Sequence, residues 1–287
     1  MPPRTLQCLF FAATLAMLAG PVSARDPVPQ KEGVEVGKPS ALRNFVPAEQ
    51  LERQAAAQYA QMKRRAASQR ALGTDENPQV KRLRAIAARI IPHAARFNQR
   101  AREWKWEINL IGSKQINAFC MPGGKIAFFT GILDILKLTD DEVAMVMGHE
   151  IAHALREHAR ERMAKGRLTE LGASVLGQVV GRGRYADAFH AGGNLLTLKF
   201  SRSNETEADV VGLDIAARAG FDPRAGVTLW RKMGAASKGA PPQWLSTHPS
   251  GPTRIKEIEK HLPEVLPLYA KATGRSVDSR PGNPGRR

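Results

Sequence analysis

The chain has 287 residues, with 43 Lys and Arg against 27 Asp and Glu, a formal net charge of +16 and 43% hydrophobic residues. That length and apolar content support a sizeable buried core and exclude an intrinsically disordered chain. The basic excess comes without a nucleic-acid motif or an aromatic-interleaved basic patch, so it points to solubility and peripheral attraction to an anionic envelope surface, with no nucleic-acid partner.

Residues 1–24 read as a secretory signal: Arg4 is the only charge before the apolar stretch Leu6 to Gly20, and Val22-Ser23-Ala24 supplies small residues for cleavage. The apolar stretch, about fifteen residues, is short for a membrane span, so the mature chain is expected to be exported, periplasmic and free of transmembrane spans. Cys8 lies in the signal, which leaves Cys120 without a disulfide partner. It is expected to act as a small apolar residue and not as a nucleophile. Residues 25–46 mix Pro, Gly and charge and read as a linker, residues 47–265 as a single domain, and residues 266–287 as a basic, disordered tail.

Helical periodicity begins with Leu51, Ala55, Tyr59 and Met62. Asn77 and Pro78 then cap and open a second helix whose stripe is Val80, Leu83, Ile86, Ala87, Ile90 and Ile91, ending or kinking near Pro92. The period changes at Trp106, Ile108 and Leu110, which alternate with polar residues as in a half-buried strand. A second strand through Asn117, Ala118 and Phe119 turns at Pro122-Gly123-Gly124 into a third, Lys125 to Phe129. An edge strand here could take a peptide substrate by strand addition, through backbone hydrogen bonds.

Thr139 and Glu142 form a capping box for the next helix, which is expected to run to Gly166 and carries His149-Glu150-Ile151-Ala152-His153. His149 and His153 stand one turn apart on one face and can converge on one Zn²⁺, while Glu150 can reach the water that such a metal activates. His158, five residues beyond His153, falls about 140° round a continuous helix and reads as a surface histidine. A later helix supplies Glu205 and Asp209, four apart on one face. Glu205 can complete a His₂Glu site, Asp209 can fix the tautomer of a ligating histidine, and Glu207 points elsewhere. Between the two, residues 166–194 read as a helix and a glycine-rich loop, either a lid or a surface insertion. Asp222-Pro223 and Gly251-Pro252 open two more helices, with Trp and Met expected in the core and His248 in the loop before the last helix.

Asn117-Ala118-Phe119, Pro122-Gly123-Gly124, the His149 to His153 motif, Ser201-Arg202 with Glu205 and Ala208-Asp209, Gly220-Phe221-Asp222-Pro223, and Thr247-His248-Pro249-Ser250 with Arg254-Ile255 follow in that order. The set resembles the zinc metallopeptidase family of CAAX prenyl endopeptidases and HtpX-like heat-shock proteases, in particular its soluble, periplasmic BepA-like branch. The resemblance implies an α+β, mainly helical, gluzincin-type fold with a small β-sheet beside the active-site helix, one Zn²⁺ per chain, and Glu205 as third ligand. It also places His248 near the metal, either as an oxyanion donor or as a zinc ligand that displaces water. The helical repeat domain of BepA-like proteins has no counterpart in the sequence, so their partners do not carry over. The function expected is a zinc endopeptidase degrading unfolded or misassembled polypeptides in the periplasm, with Glu150 as general base. The alternative is a metal-stabilised holdase that cleaves little.

Overall fold

The computed structural model describes residues 32–177, 195–237, 242–248 and 252–275. The stretch at 1–24 that reads as a signal, positions 178–194 of the glycine-rich stretch and the chain after 275 lie outside the described residues.

Helix α1 (Ala48–Ser68) buries Leu51, Ala55, Tyr59 and Ala66. The Tyr59 hydroxyl donates to the Ile126 carbonyl and accepts from Asn109 Nδ2 at 3.0 Å, which ties α1 to the sheet. Helix α2 (Pro78–Ile90) starts where Asn77 Oδ1 accepts from the Gln79 N–H at 2.8 Å, and it buries the expected stripe from Val80 to Ile90, while Ile91 falls past its end and is half-buried. Strands β1 (Glu107–Ile111), β2 (Ala118–Met121) and β3 (Lys125–Phe129) form one sheet in the order β1-β3-β2. The central β3 runs parallel to β1 and antiparallel to β2, with Ile126, Ala127 and Phe128 fully buried. Gly123 and Gly124 make the β2–β3 turn at φ +81° and +78°, values that a side chain would strain. This order leaves β2 on an edge of the sheet, where it packs beside the next long helix.

After the short α3 (Thr130–Leu136), α4 (Asp140–Leu155) begins with the expected capping box: Thr139 Oγ1 accepts from the Glu142 N–H, and Glu142 Oε2 accepts from the Thr139 N–H at 2.9 Å. Every residue of α4 from Glu142 to Leu155 is buried, so it is a central helix and not an amphipathic surface one. It stops short of the expected Gly166. Glu157 takes a left-handed conformation at φ +57°, its carboxylate paired with Arg43 and Arg160, and α5 (His158–Gly177) sets off afresh. No Gly or Pro marks this break, so helical pattern alone runs through it.

Helix α6 (Arg202–Arg218), capped by Ser201 and Asn204, crosses α4 at a glycine contact. A Cβ on Gly148 would lie 2.7 Å from the Gly212 carbonyl oxygen, and one on Gly212 would lie 2.7 Å from the His149 nitrogen. The two backbones therefore touch, which brings the histidine-bearing face of α4 onto the acidic first turns of α6. Helices α7 (Ala225–Ala236), α8 (Gln243–Thr247) and α9 (Pro252–Thr273) close the other side. Helix α9 packs on α6 and α7 and buries Val265, Leu268 and Tyr269, so the chain stays helical through Thr273 and does not become a loose tail at 266. The stretch read as a linker also packs from Glu32 onward: Val34 and Val46 are buried, and the Val34 N–H donates to Asp214 Oδ2 at 3.0 Å. Among the described residues no helix is long and apolar enough to cross a membrane. The expected α+β, mainly helical architecture with a small sheet beside the motif helix is what forms.

Candidate metal centre

Four buried side chains from three places in the sequence meet at one point. His149 and His153 come from α4, Glu205 from the first turn of α6, and His248 from the end of α8. His149 Nε2 lies 3.1 Å from His153 Nε2 and 3.3 Å from His248 Nδ1. Glu205 Oε2 lies 3.5 Å from His149 Nε2, while Oε1 lies 3.5 Å from His153 Nε2 and 3.1 Å from His248 Nδ1. Four donors around a tetrahedral ion bound at 2.0–2.1 Å stand about 3.3–3.4 Å apart, so these separations are those of a first-row metal site. The donor chemistry agrees, since three imidazoles and one carboxylate form a nitrogen and oxygen set suited to Zn²⁺. Imidazole lone pairs aimed at one point 3.1 Å apart repel unless a cation or proton lies between them.

The surrounding charges fit that reading. Burial opposes charging His149, but hydrogen bonds to the Asp209 and Glu205 carboxylates outweigh it and raise the group to about 9. Burial and the neighbouring His149 hold His153 well below the ordinary imidazole range. Burial would raise Glu205, yet His149 and His248 hold it far below the usual carboxylate range. One positive charge is thus drawn into the cluster by its carboxylates, the role that a bound cation takes over when it displaces the proton.

Glu150, turned about 100° from His149 on α4, faces the same space. Its Oε1 accepts from the indole N–H of the fully buried Trp244 at 2.6 Å, and His248 Nε2 stands 3.7 Å from that oxygen. Asp209 Oδ1 accepts from His149 Nδ1 at 3.0 Å. Arg254 on α9 donates to Asp209 at 2.6 and 2.7 Å and to Glu205 Oε2 at 2.6 Å, its guanidinium resting 3.8 Å from the Trp230 ring centroid. Arg254 thereby ties the Glu205 and Asp209 carboxylates of α6 together. Beside Glu150 a groove opens between Asn117 with Ala118 and Phe119 of β2 on one side and the apolar Leu196, Leu198 and Phe200 on the other. Cys120 also lines it, but desolvation and the Glu150 carboxylate raise its thiol well above the ordinary range, which disfavours a thiolate.

All the residues singled out from the sequence are therefore together: His149, His153, Glu205 and His248 in the cluster, Glu150 and Asp209 against it, and Asn117 to Phe119 along the groove. Three others were not singled out for the site. Trp244 was not named from the sequence; it is fully buried, and its indole N–H anchors Glu150. Arg254 stood in an ordered motif with no spacing rule to connect it to Glu205. His158 was expected on the surface and is 1% exposed, because the break at Glu157 turns its ring back onto His153.

Comparison with known proteins agrees with this geometry. The model of peptidase family M48 matches residues 78–262. The mitochondrial metalloendopeptidase OMA1 of Arabidopsis thaliana is 40% identical over 167 residues, 57% of this chain and 33% of the relative. Its namesake in Schizosaccharomyces pombe is 40% identical over 163 residues, 56% of this chain and 48% of the relative. Metalloprotease LoiP of Escherichia coli is 28% identical over 153 residues, 52% of this chain and 60% of the relative. The chain thus spans between a third and about three fifths of the length of these relatives. The periplasmic location expected from residues 1–24 is corrected by this result: the relatives at 40% identity are mitochondrial enzymes, and the bacterial LoiP stands further off. The family model spans both helices that build the cluster and the motif that holds His248 and Arg254, and the chain belongs to peptidase family M48, a family of metal-dependent peptidases.

Proposed function

We propose that the chain is a zinc-dependent endopeptidase that cleaves unfolded or misassembled polypeptides in protein quality control. The observation that carries the proposal is the convergence of His149, His153, Glu205 and His248, whose donor atoms all lie within 4.8 Å of one another, with the Glu150 carboxylate beside them. Zinc at such a site supplies Lewis acidity, lowering the pKa of water to about 7 and polarising a carbonyl.

The chain's own residues supply the rest. His149, His153 and Glu205 hold the ion, and Asp209 orients His149 through Nδ1. Trp244 fixes one oxygen of Glu150 and so sets the direction of the other, which takes the proton of the attacking water and delivers it to the leaving amine. The β2 edge offers backbone groups that pair with any extended peptide, and Leu196, Leu198 and Phe200 favour the apolar side chains that unfolded chains expose. The position of Glu150 favours hydrolysis over a holdase, because capture alone has no use for a general base held against the metal cluster. The net charge of +16 favours peripheral contact with anionic membrane surfaces as well. Denatured casein should be cut by the zinc-loaded chain, lose that cutting on chelation and regain it with zinc. Chelator-insensitive cleavage, or none with zinc bound, refutes the proposal.

His248 has two possible roles with opposite signs. Its Nδ1 stands at the fourth vertex of the cluster, where a substrate or water has to enter. His248→Ala is therefore expected to raise basal cleavage of a short unstructured peptide several-fold. A fall by a factor on the order of 10² would instead make His248 an oxyanion donor, and peptide kinetics on the two proteins decide between them.

A further inference from the structure

We propose that His158 and Glu207 form an outer relay that fixes the tautomer and orientation of His153, making His158 a positioning residue of the metal site. The proposal rests on the reading of His153 as a metal ligand. A ligating imidazole is neutral and gives its lone pair to the metal, so its proton sits on the other ring nitrogen. His153 Nε2 faces the cluster, at 3.1 Å from His149 Nε2, and its proton therefore belongs on Nδ1.

That N–H points at His158 Nδ1, 3.0 Å away. His158 Nδ1 has to accept, which places the His158 proton on Nε2. From Nε2 it is donated to Glu207 Oε2 at 2.8 Å. The other oxygen of Glu207 accepts from Arg156 Nε at 2.8 Å and Nη2 at 2.6 Å, and Arg156 also donates to the Gly37 carbonyl of the N-terminal segment. Every proton in the series is assigned by its neighbour. With the His158 proton moved to Nδ1, two N–H groups would face each other across 3.0 Å, or His153 would have to turn its own proton towards the metal. Both rings are shielded from bulk solvent: His158 is 1% exposed, and the Phe200 ring covers His153 at a centroid distance of 4.1 Å.

The two histidines of α4 are thus oriented differently. His149 donates directly to a carboxylate, Asp209, whereas His153 reaches a carboxylate only through a second imidazole. The break at Glu157 makes the second arrangement possible, since on an unbroken helix His158 would stand about 140° from His153.

Zinc affinity, measured by competition with a chromophoric chelator, tests the relay. His158→Phe fills the space without an acceptor and should weaken zinc binding by about 10- to 100-fold. His158→Asn, whose Oδ1 can stand where Nδ1 stands, should restore affinity to within a few-fold of the parent. In the unaltered zinc-loaded protein, ¹⁵N NMR should show His158 protonated on Nε2 alone. Zinc binding by a folded His158→Phe protein as tight as the parent's, equal loss in the Phe and Asn variants, or a proton on His158 Nδ1 each overturns the relay. A parent chain that binds no zinc refutes the ligand reading of His153 itself, and so separates the two failures.

Discussion

Glu150→Gln should leave zinc content unchanged and reduce cleavage of denatured casein by a factor on the order of 10² or more. The side chain keeps its length, and its amide oxygen can still accept the Trp244 indole N–H that Glu150 Oε1 accepts at 2.6 Å. The four clustered donors are untouched, so metal analysis of the purified variant should match the parent. What disappears is the basic carboxylate oxygen that Glu150 offers beside the cluster, and an amide cannot take a proton from water at neutral pH. A variant that retains zinc and cuts casein at the parent rate would remove Glu150 from the chemistry. The holdase reading would then gain, because capture through the β2 edge and the apolar groove is independent of Glu150.

The part of this site that lies within one helix was legible in the sequence, because helical spacing is a local rule. His149 and His153 had to share a face, as did Glu205 and Asp209, and the caps at Thr139 and Asn77 marked where two of the helices begin. What spacing could not give is how the two helices meet. The crossing depends on Gly148 and Gly212, and each of these reads in isolation as a mere weakness in a helix. Their joint role appears only when a Cβ on either is seen to strike the other backbone. His158 was misplaced for a related reason: Glu157 enters the left-handed region without glycine, paired with Arg160 three residues on and with the distant Arg43, a contact that no local pattern announces. Arg254 and Trp244 reach the site from the C-terminal segments, about 45 and 94 positions from the carboxylates they bind, beyond any periodic pattern.

Replacing Glu205 separates the carboxylates of α6 by function. Glu205→Ala removes one of the four clustered donors and leaves the Arg254 guanidinium beside a partner that has gone, so zinc stoichiometry after dialysis should fall to background. Glu205→Gln keeps the volume and should also lose affinity, because a neutral amide oxygen is a poorer donor than a carboxylate. Glu207→Ala should keep near-stoichiometric zinc under excess metal, since its carboxylate lies behind His158 and not in the cluster. Its loss of affinity should not exceed the roughly 10- to 100-fold expected of an outer partner. Asp209→Asn should fall between them, as it keeps an oxygen for His149 Nδ1 but loses the charge that Arg254 neutralises. Circular dichroism of each variant separates metal loss from misfolding. Equal zinc occupancy in folded Glu205→Ala and Glu207→Ala proteins would refute the assignment of Glu205, because only one of the two carboxylates lies within 3.5 Å of a clustered histidine nitrogen.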